Sequence, residues 1–346
     1  MLNFKKQTNE LAELLTFKRP AYSKSEDQFI AKYIDSIPGI KKDGFENRYI
    51  KIGNGKTMIS VHTDTVHNQD GMQTIIIDPI KNHICLDTDK ENRKQKIFSR
   101  SKKEKNVFFP SGQCLGSDDG TGIYIALAMI HYKIPALYVF HRCEETGGQG
   151  SEYFSRHNIN LFDKIDRCIA LDRKGTNDII THQFSGRCCS DKFANDLADL
   201  LGMEHKGDNT GSFTDSANYT DVIPECTNLS VGYYLQHSSR EYQDCNYLST
   251  LIDRLCTVDL ESLSVYRDPS DINSSFDDHD WTYNDVADLV YDKPEKAIKL
   301  LFNSLNNIDS NNNDTLYDNY DYADNWTNQI DQDWPEPGHY CRGKNR

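Results

Sequence analysis

The sequence predicts an α/β protein whose central sheet is mixed but mostly parallel. Four short, apolar and β-rich segments have the composition of buried strands, at residues 57–62, 136–141, 168–172 and 228–234. A helix is predicted between the first two strands, beginning near Asp119 in DGTGIYIALAMIHY. A strand, a helix and a second strand in this order are typical of parallel pairing.

Two further helices are predicted before the first strand, at residues 7–17 and 25–36. Ser25 and Asp27 open the second of them, and its apolar residues recur at helical spacing. An apolar stripe on a helix needs a partner surface, so both helices are expected to cover the sheet.

A small β insertion is predicted at residues 70–112, between the first strand and the helix that follows it. The insertion contains the segments IIIDPI, HICLDTD and KIFSRSKKEKNVFF, separated by turn-prone and charged stretches. Its part from Lys90 to Lys105 holds eight lysines and arginines against two glutamates. Such a run is more often a solvated hairpin tip than a contact for an acidic partner.

The last part of the chain differs in composition from the rest. The formal net charge of the protein is −14, and residues 268–346 hold 17 acidic against only 6 basic side chains. Asp, Asn, Ser and Tyr dominate there, and such a segment buries too little apolar surface to fold alone. We therefore divide the chain into a main domain, residues 1–266, and an acidic C-terminal extension, residues 267–346, with one predicted helix at 282–305.

All three tryptophans of the chain, Trp281, Trp326 and Trp334, lie in this extension. Tryptophan is a common anchor of protein interfaces, so the extension is a candidate contact for a protein partner. Packing of these rings on the chain's own surface, or a merely solubilising extension, explains the composition equally well.

Composition and patterning exclude several classes of protein. The near-neutral main domain lacks the basic patch of a nucleic-acid-binding protein, and no apolar run approaches the roughly 18 residues of a membrane span. The N-terminus lacks the continuous apolar core of a secretory signal. The ten cysteines are scattered singly, except for the adjacent Cys188 and Cys189, and form no Cys-x-x-Cys motif. A soluble cytoplasmic protein is therefore predicted.

Residues that can bind a metal follow the ends of the predicted strands. The carboxyl ends of strands are where ligands bind in open α/β sheets, so residues far apart in sequence converge there. Zinc accepts imidazole nitrogen and carboxylate oxygen. The residues concerned are His62, Asp64, Asp118, Glu144, Glu145, Asp172 and His237.

These residue types are suited to a two-metal hydrolytic site. Two histidines and three carboxylates can hold two zinc ions if one carboxylate bridges them and the ions share a hydroxide. Asp64 can accept the second imidazole N–H of His62 and fix its tautomer. Glu144 and Glu145 are neighbours, so one can bind metal while the other faces the bound water.

The motifs HTDT, LGSDDGTG, EETGGQGS, LDR and GYYLQHS, in this order within residues 57–241, resemble a known set. They are similar to the five ligand motifs of the co-catalytic di-zinc exopeptidases, the superfamily of peptidase T, glutamyl aminopeptidase and the bacterial leucyl aminopeptidases. The resemblance implies that His62 and Asp172 bind one zinc ion. It implies that Glu145 and His237 bind the second ion, and that Asp118 bridges the two.

The resemblance also implies a mechanism and a fold. Glu144 would be the general base, and Asp64 would orient His62. The implied activity is that of an aminopeptidase or a di/tripeptidase, which hydrolyses peptide bonds through a metal-bridging hydroxide. The implied fold is the three-layer α/β/α zinc-exopeptidase fold of the phosphorylase/hydrolase type. Cobalt or manganese fit the same donor atoms as zinc.

One feature departs from peptidase T and its closest relatives. They carry a separate lid or dimerisation domain between the fourth and fifth ligands, whereas here Asp172 and His237 are only 65 positions apart. No large lid domain is therefore predicted, and the connection is similar to that of the compact single-domain aminopeptidases.

Four residues are candidates for substrate binding. Arg173 and Arg240 lie beside two ligand positions and could hold a substrate carboxylate in a forked hydrogen bond. Solvent exposure or pairing with a neighbouring acid explains either arginine more simply. The Gly- and hydroxyl-rich segment 207–221 could shape the pocket, with Asp215 or Tyr219 touching substrate, or it could be an ordinary loop.

Other functions are compatible with the same sequence. A deacylase, a carboxypeptidase-like enzyme or a single-zinc glutaminyl cyclase would use the same fold, although a one-metal site would not need His62. A non-catalytic binding protein that works through the extension is a further alternative, which the complete ligand set and Glu144 disfavour. The substrate, the physiological metal, the oligomeric state and the exopeptidase mode stay open.

Overall fold

A computed structural model of the protein describes residues 4–88, 113–184 and 186–269. The second half of the predicted insertion, with its basic run, lies outside the described residues. The predicted helix at 282–305 and the three tryptophans of the extension also lie outside them. Among the described residues, no helix is both long and apolar enough to span a membrane.

The described residues form six α-helices and sixteen strands. The helices are α1 (Phe4–Leu14), α2 (Lys24–Phe29, continued by a π-turn at Ile30–Ile34), α3 (Ser117–His131), α4 (Gln149–His157), α5 (Asp191–Leu201) and α6 (Cys245–Leu255). Short 3₁₀ turns lie at Ile159–Leu161, Asp215–Tyr219 and Leu260–Ser262. The strands are β1 (Phe17–Lys18), β2 (Lys41–Lys42), β3 (Arg48–Ile52), β4 (Thr57–His62), β5 (Gly71–Met72), β6 (Ile75–Asp78), β7 (His83–Leu86), β8 (Ala136–His141), β9 (Arg167–Arg173), β10 (Asp178–Ile180), β11 (His182–Gln183), β12 (Gly186–Arg187), β13 (Lys206–Asp208), β14 (Glu225–Ser230), β15 (Tyr233–Tyr234) and β16 (Tyr242–Asp244).

Eight strands form the central sheet, in the order β13-β10-β14-β9-β4-β8-β3-β2. At its centre β4 pairs in parallel with both β8 and β9, and β9 pairs in parallel with β14. The antiparallel pairs lie further out, where β3 joins β8, β2 joins β3, and β10 joins β14. The prediction of a mixed, mostly parallel sheet in an α/β fold is confirmed.

The central strands are buried because helical elements cover them. Every residue of β4 and β8 is buried, as expected for parallel strands with both faces covered. Helix α3 packs on β4 and β9, and α1 and α6 pack in turn on α3. The 3₁₀ turn at Asp215–Tyr219 also packs on β4, β9 and β14. The apolar core therefore lies along the strands whose ends carry the candidate ligands.

Two predicted elements differ most from the structure in their bounds. The first helix ends at Leu14 rather than at residue 17, because Phe17 and Lys18 pair with Met72 and Gly71 as a short antiparallel ladder. The fourth predicted strand, at residues 228–234, corresponds to β14, which begins at Glu225 and ends at Ser230. Gly232 has a φ of +92°, a conformation that interrupts a strand and that glycine tolerates best.

A second, four-stranded sheet has the order β15-β16-β7-β6. Strands β6 and β7 belong to the predicted insertion, and they form an antiparallel pair. Strands β15 and β16 form a hairpin whose connecting loop, residues 235–241, contains His237. Because β16 also pairs with β7, the insertion is joined to the strand that follows this loop.

The connection between Asp172 and His237 contributes elements to the main fold. Strands β10, β13 and β14 of this connection join the central sheet, and α5 packs against β13 and β10. Within the described part of the connection, therefore, no residues form a separate lid domain.

Candidate metal centre

The candidate ligands come from five segments and meet at the carboxyl ends of the central strands. His62 is the last residue of β4, Asp172 lies next to the end of β9, and Glu145 follows β8. Asp118 lies at the start of α3, and His237 lies in the β15–β16 loop. Three groups of donor atoms lie close enough together to share an ion: His62 with Asp118 and Asp172, His62 with Glu144 and Glu145, and Asp118 with Glu145 and His237.

Asp118 lies between the two histidines. Its Oδ1 atom is 3.1 Å from Nε2 of His62, and its Oδ2 atom is 3.1 Å from Nε2 of His237. Each oxygen of one carboxylate therefore faces a different imidazole, which is the arrangement that a bridging ligand requires. The hydrogen bonds from both histidines keep the pKa of Asp118 far below its usual range, although burial opposes this.

The orientation of the His62 ring leaves Nε2 as its ligand atom. Its Nδ1 lies 3.1 Å from the main-chain oxygen of Asp64 and 3.6 Å from Oδ1 of that residue. Both are acceptors, so Nδ1 carries a proton, and Nε2 would be the atom that binds a metal. The Asp64 carboxylate also accepts the main-chain N–H groups of Glu144, at 3.1 Å, and Glu145, at 3.2 Å. Asp64 thus fixes His62 relative to both glutamates.

The two adjacent glutamates face different partners. Oε1 of Glu145 lies 3.2 Å from Nε2 of His237, whereas Oε2 of Glu144 lies 3.9 Å from Nε2 of His62. Burial and the neighbouring Asp118 raise the pKa of Glu145 to about 7. Burial also raises the pKa of Glu144 well above its usual value, and the charge of Glu145 adds to that shift.

Asp172 is held on three sides. The hydroxyl of Thr214 donates to Oδ2 at 2.7 Å, and that of Tyr233 donates to Oδ1 at 3.0 Å. Oδ1 lies 3.7 Å from Nε2 of His62. Burial and repulsion from Asp118 raise the pKa of Asp172 to about 6.

The charge balance of this cluster favours divalent cations. Among the described residues, the ion-pair partners of Asp118 and Glu145 are the histidines alone. Although burial opposes it, the surrounding carboxylates raise the pKa of His237 to about 11 and that of His62 well above its usual value. Buried charges require a partner or a metal, and oxygen and imidazole donors suit zinc. The residues present therefore fit a pair of divalent ions.

Asp119 differs from Asp118 in its surroundings, and a cis peptide bond joins the two. Its Oδ2 accepts the main-chain N–H of His62 at 3.0 Å, and its Oδ1 accepts that of Gly122 at 2.9 Å. Both oxygens are thus occupied by main-chain groups, which separates Asp119 from the cluster of donor atoms.

Glu241 is a residue of this site that the sequence analysis missed. Its buried carboxylate accepts four consecutive main-chain N–H groups: Oε2 bonds Leu115 at 2.7 Å and Gly116 at 3.0 Å, and Oε1 bonds Ser117 at 2.8 Å and Asp118 at 3.2 Å. Glu241 lies four residues after His237, so it ties the Asp118 loop to the His237 loop. In the sequence, the feature that could have pointed to Glu241 is its position four residues after a candidate ligand.

The four predicted substrate-binding residues lie in different places. Arg173 lines the cavity above the cluster, with Nε 3.0 Å from Oδ2 of Asp178. Asp215 and Tyr219 are buried, and Tyr219 hydrogen-bonds His141 at 3.2 Å. Arg240 is exposed and does not line the cavity that the described residues form.

This cavity opens above the candidate ligands and has a volume of about 100 Å³. Its floor contains the carboxylates of Asp118, Glu144, Glu145 and Asp172 together with His237. Its walls are Arg173, Lys174, Ile180, Gln183, Gly211, Ser212, Phe213, Asn228, Tyr233 and Gln236.

Comparison with known proteins identifies the fold. No protein-family model matches the sequence, and a search of curated proteins found no match. Solved structures do match. A tripeptidase from Staphylococcus aureus has a TM-score of 0.56 at 15% identity, with 74% of this chain and 97% of that chain covered. Aminopeptidase PepT from Bacillus cereus has a TM-score of 0.54 at 13% identity, with 73% and 97% covered.

A third match extends the likeness to an archaeal protein. An aminopeptidase from Desulfurococcus kamchatkensis has a TM-score of 0.50 at 15% identity, with 79% of this chain and 98% of that chain covered. At these identities the matches establish a common fold. The chain therefore has the α/β fold that these peptidases share, which is the fold that the resemblance of its motifs implied.

Proposed function

We propose that the protein is a zinc-dependent exopeptidase, an aminopeptidase or a di/tripeptidase. The observation that carries the proposal is the placement of Asp118, whose two carboxylate oxygens each lie 3.1 Å from a different histidine. A tripeptidase and aminopeptidases share the fold, which supports peptide-bond hydrolysis as the reaction. The nine described cysteines form no disulfide bond, which supports a reducing, cytoplasmic location.

The residues divide into two sets of ligands. His62 and Asp172 would hold one ion, Glu145 and His237 would hold the other, and Asp118 would contribute one oxygen to each. Bound divalent ions supply Lewis-acid activation of both water and the scissile carbonyl. Asp64 would keep His62 in the tautomer that leaves Nε2 free.

Glu144 would be the general base. Its neighbour Glu145 faces His237, so Glu144 is the glutamate left to accept the proton of the attacking water. It lines the cavity, and burial raises its pKa above the usual value, which makes it a stronger proton acceptor. Glu144 would then return this proton to the leaving amine.

Metal removal tests this proposal. We expect two zinc ions per chain by elemental analysis, and hydrolysis of Ala-Ala, Ala-Ala-Ala or Leu-amide that a chelator abolishes. Zinc, cobalt or manganese should restore the activity. Hydrolysis that survives complete removal of metal would refute the proposal. Exclusive cleavage of N-acyl amides would instead identify a deacylase.

A conservative change at Glu241 should weaken metal binding. In Glu241→Gln an amide NH₂ replaces one oxygen and faces two main-chain N–H groups of the Asp118 loop, so two of the four hydrogen bonds are lost. Changes in residues that orient ligands typically cost about 10- to 100-fold in metal affinity. Competition with a chromogenic chelator measures this affinity directly.

Glu225 offers a matched control for Glu241. It is fully buried and accepts four hydrogen bonds, two from Ser190 and one each from the main chain of Tyr266 and Arg267. It lies at the start of β14, the end of the strand away from the metal centre. Glu225→Gln should lower the Tm while leaving metal affinity unchanged. Equal losses of affinity in both variants would show that Glu241 acts only through general stability.

A further inference from the structure

Two cations follow Asp172 directly in the sequence, and both line the cavity above the candidate metal centre. The first, Arg173, is already engaged by the protein. Its Nε lies 3.0 Å from Asp178, and its Nη2 donates to Thr210 at 3.1 Å and lies 3.6 Å from Asp208. Two acids therefore balance the charge of Arg173, and its side chain supports the wall of the cavity.

The second cation, Lys174, is differently placed. Its side chain is exposed, and none of the described residues forms an ion pair with it. Its backbone is nevertheless fixed, because Ser230 donates to its main-chain oxygen at 2.8 Å. The next residue, Gly175, exchanges main-chain hydrogen bonds with Tyr233 and Gly232, both at 2.8 Å. Within the described part of the chain, Lys174 thus has no ion-pair partner, and it lies on a hydrogen-bonded loop two residues from a candidate ligand.

The charge of the loaded centre does not oppose an anion at this position. Four carboxylates of the floor would be balanced by the four positive charges of two divalent ions. A substrate carboxylate near Lys174 would then gain attraction from its ammonium group, and the bound ions would offset the repulsion from these four carboxylates. The cavity of about 100 Å³ is also small, so a group bound beside Lys174 lies near the reacting bond.

We propose that Lys174 binds a carboxylate of the peptide substrate and makes the enzyme selective for anionic peptides. This inference rests on the proposed peptidase function. Two parts of a peptide supply the carboxylate: the free C-terminus of a di- or tripeptide, and the side chain of an acidic N-terminal residue. In either case Lys174 recognises the same chemical group.

Paired substrates that differ only in this group test the proposal. Ala-Ala against Ala-Ala-amide reports on the C-terminal carboxylate, and Glu-Ala-amide against Gln-Ala-amide reports on the acidic side chain. We expect the metal-loaded enzyme to prefer one carboxylate of these pairs in kcat/KM by about 10- to 100-fold, the range of a hydrogen bond to a charged group. Lys174→Met should remove that preference, and Lys174→Arg should restore most of it.

Lys164→Met is the matched control, because Lys164 is an exposed lysine outside the cavity and should leave the preference intact. Binding of the same peptides to metal-loaded Glu144→Gln, measured by calorimetry, gives a readout that does not need turnover. Hydrolysis with no preference in either pair, or a preference that survives in Lys174→Met, overturns the role of Lys174 alone. Tight, Lys174-dependent binding of carboxylates without hydrolysis by wild type supports it while refuting the peptidase function.

Discussion

Glu144→Gln should keep both metal ions and lose about 10²- to 10⁴-fold in kcat, the usual contribution of a general base. The substitution keeps the size of the side chain and removes its ability to accept a proton. The main-chain N–H of residue 144 would still bond Asp64, so the ligand loop should keep its position. Elemental analysis and steady-state kinetics on Ala-Ala-Ala measure the two quantities on the same sample.

Glu152→Gln is a suitable comparison for this variant. Glu152 lies on α4, pairs with Arg156 at the surface and does not line the cavity. The same chemical change there should leave kcat within a factor of about two, as expected for an exposed pair. Near-normal turnover by metal-loaded Glu144→Gln would assign the base to another residue.

Asp118→Asn should release both ions. The amide keeps one carbonyl oxygen, but its NH₂ group cannot serve as a ligand, and the negative charge that the two ions share is lost. After dialysis against metal-free buffer we expect less than one ion per chain. The folded protein should still show the far-UV circular dichroism of the wild type, which separates metal loss from unfolding.

His237→Ala tests whether Asp118 bridges the two ions. Among the described residues, His237 belongs to one group of donor atoms, formed with Glu145 and Asp118. Its removal should therefore cost one ion and leave the other bound by His62 and Asp172. The two variants should therefore differ in metal content. If Asp118→Asn and His237→Ala each lose one ion, Asp118 belongs to a single ion and does not bridge.

The sequence predicted the centre of the fold better than its periphery. β4 and β8 were predicted with the observed bounds, because unbroken apolar runs such as ALYVFH suit strands buried on both faces. Errors arose where distant residues decide the structure. The pairing of Phe17 with Met72 ended the first helix early, and nothing in the local sequence around Phe17 announces that partner.

The proximity of His62, Glu145 and Asp172 could be predicted because parallel strands bring their carboxyl ends together. The residues that position them were less accessible. Glu241 accepts hydrogen bonds from four main-chain amides more than 120 positions away. Because any residue type offers a main-chain amide, such a contact cannot be recognised from the sequence. The sequence analysis selected Arg173 as a candidate for substrate binding and missed the adjacent Lys174. Only the positions of Asp178 and Asp208 reveal which of the two cations is already neutralised.

The hairpin that carries His237 makes the two halves of the proposed centre unequal. The His62 side chain is 1% exposed at the end of a central strand, whereas the His237 side chain is 50% exposed on a loop of the small sheet. One ion would bind at a buried histidine, whereas the other would have to restrict a half-exposed histidine side chain and would cost more conformational entropy. At a limiting metal concentration, the ion at His237 would then dissociate first. The metal supply would therefore set the fraction of enzyme molecules that are active.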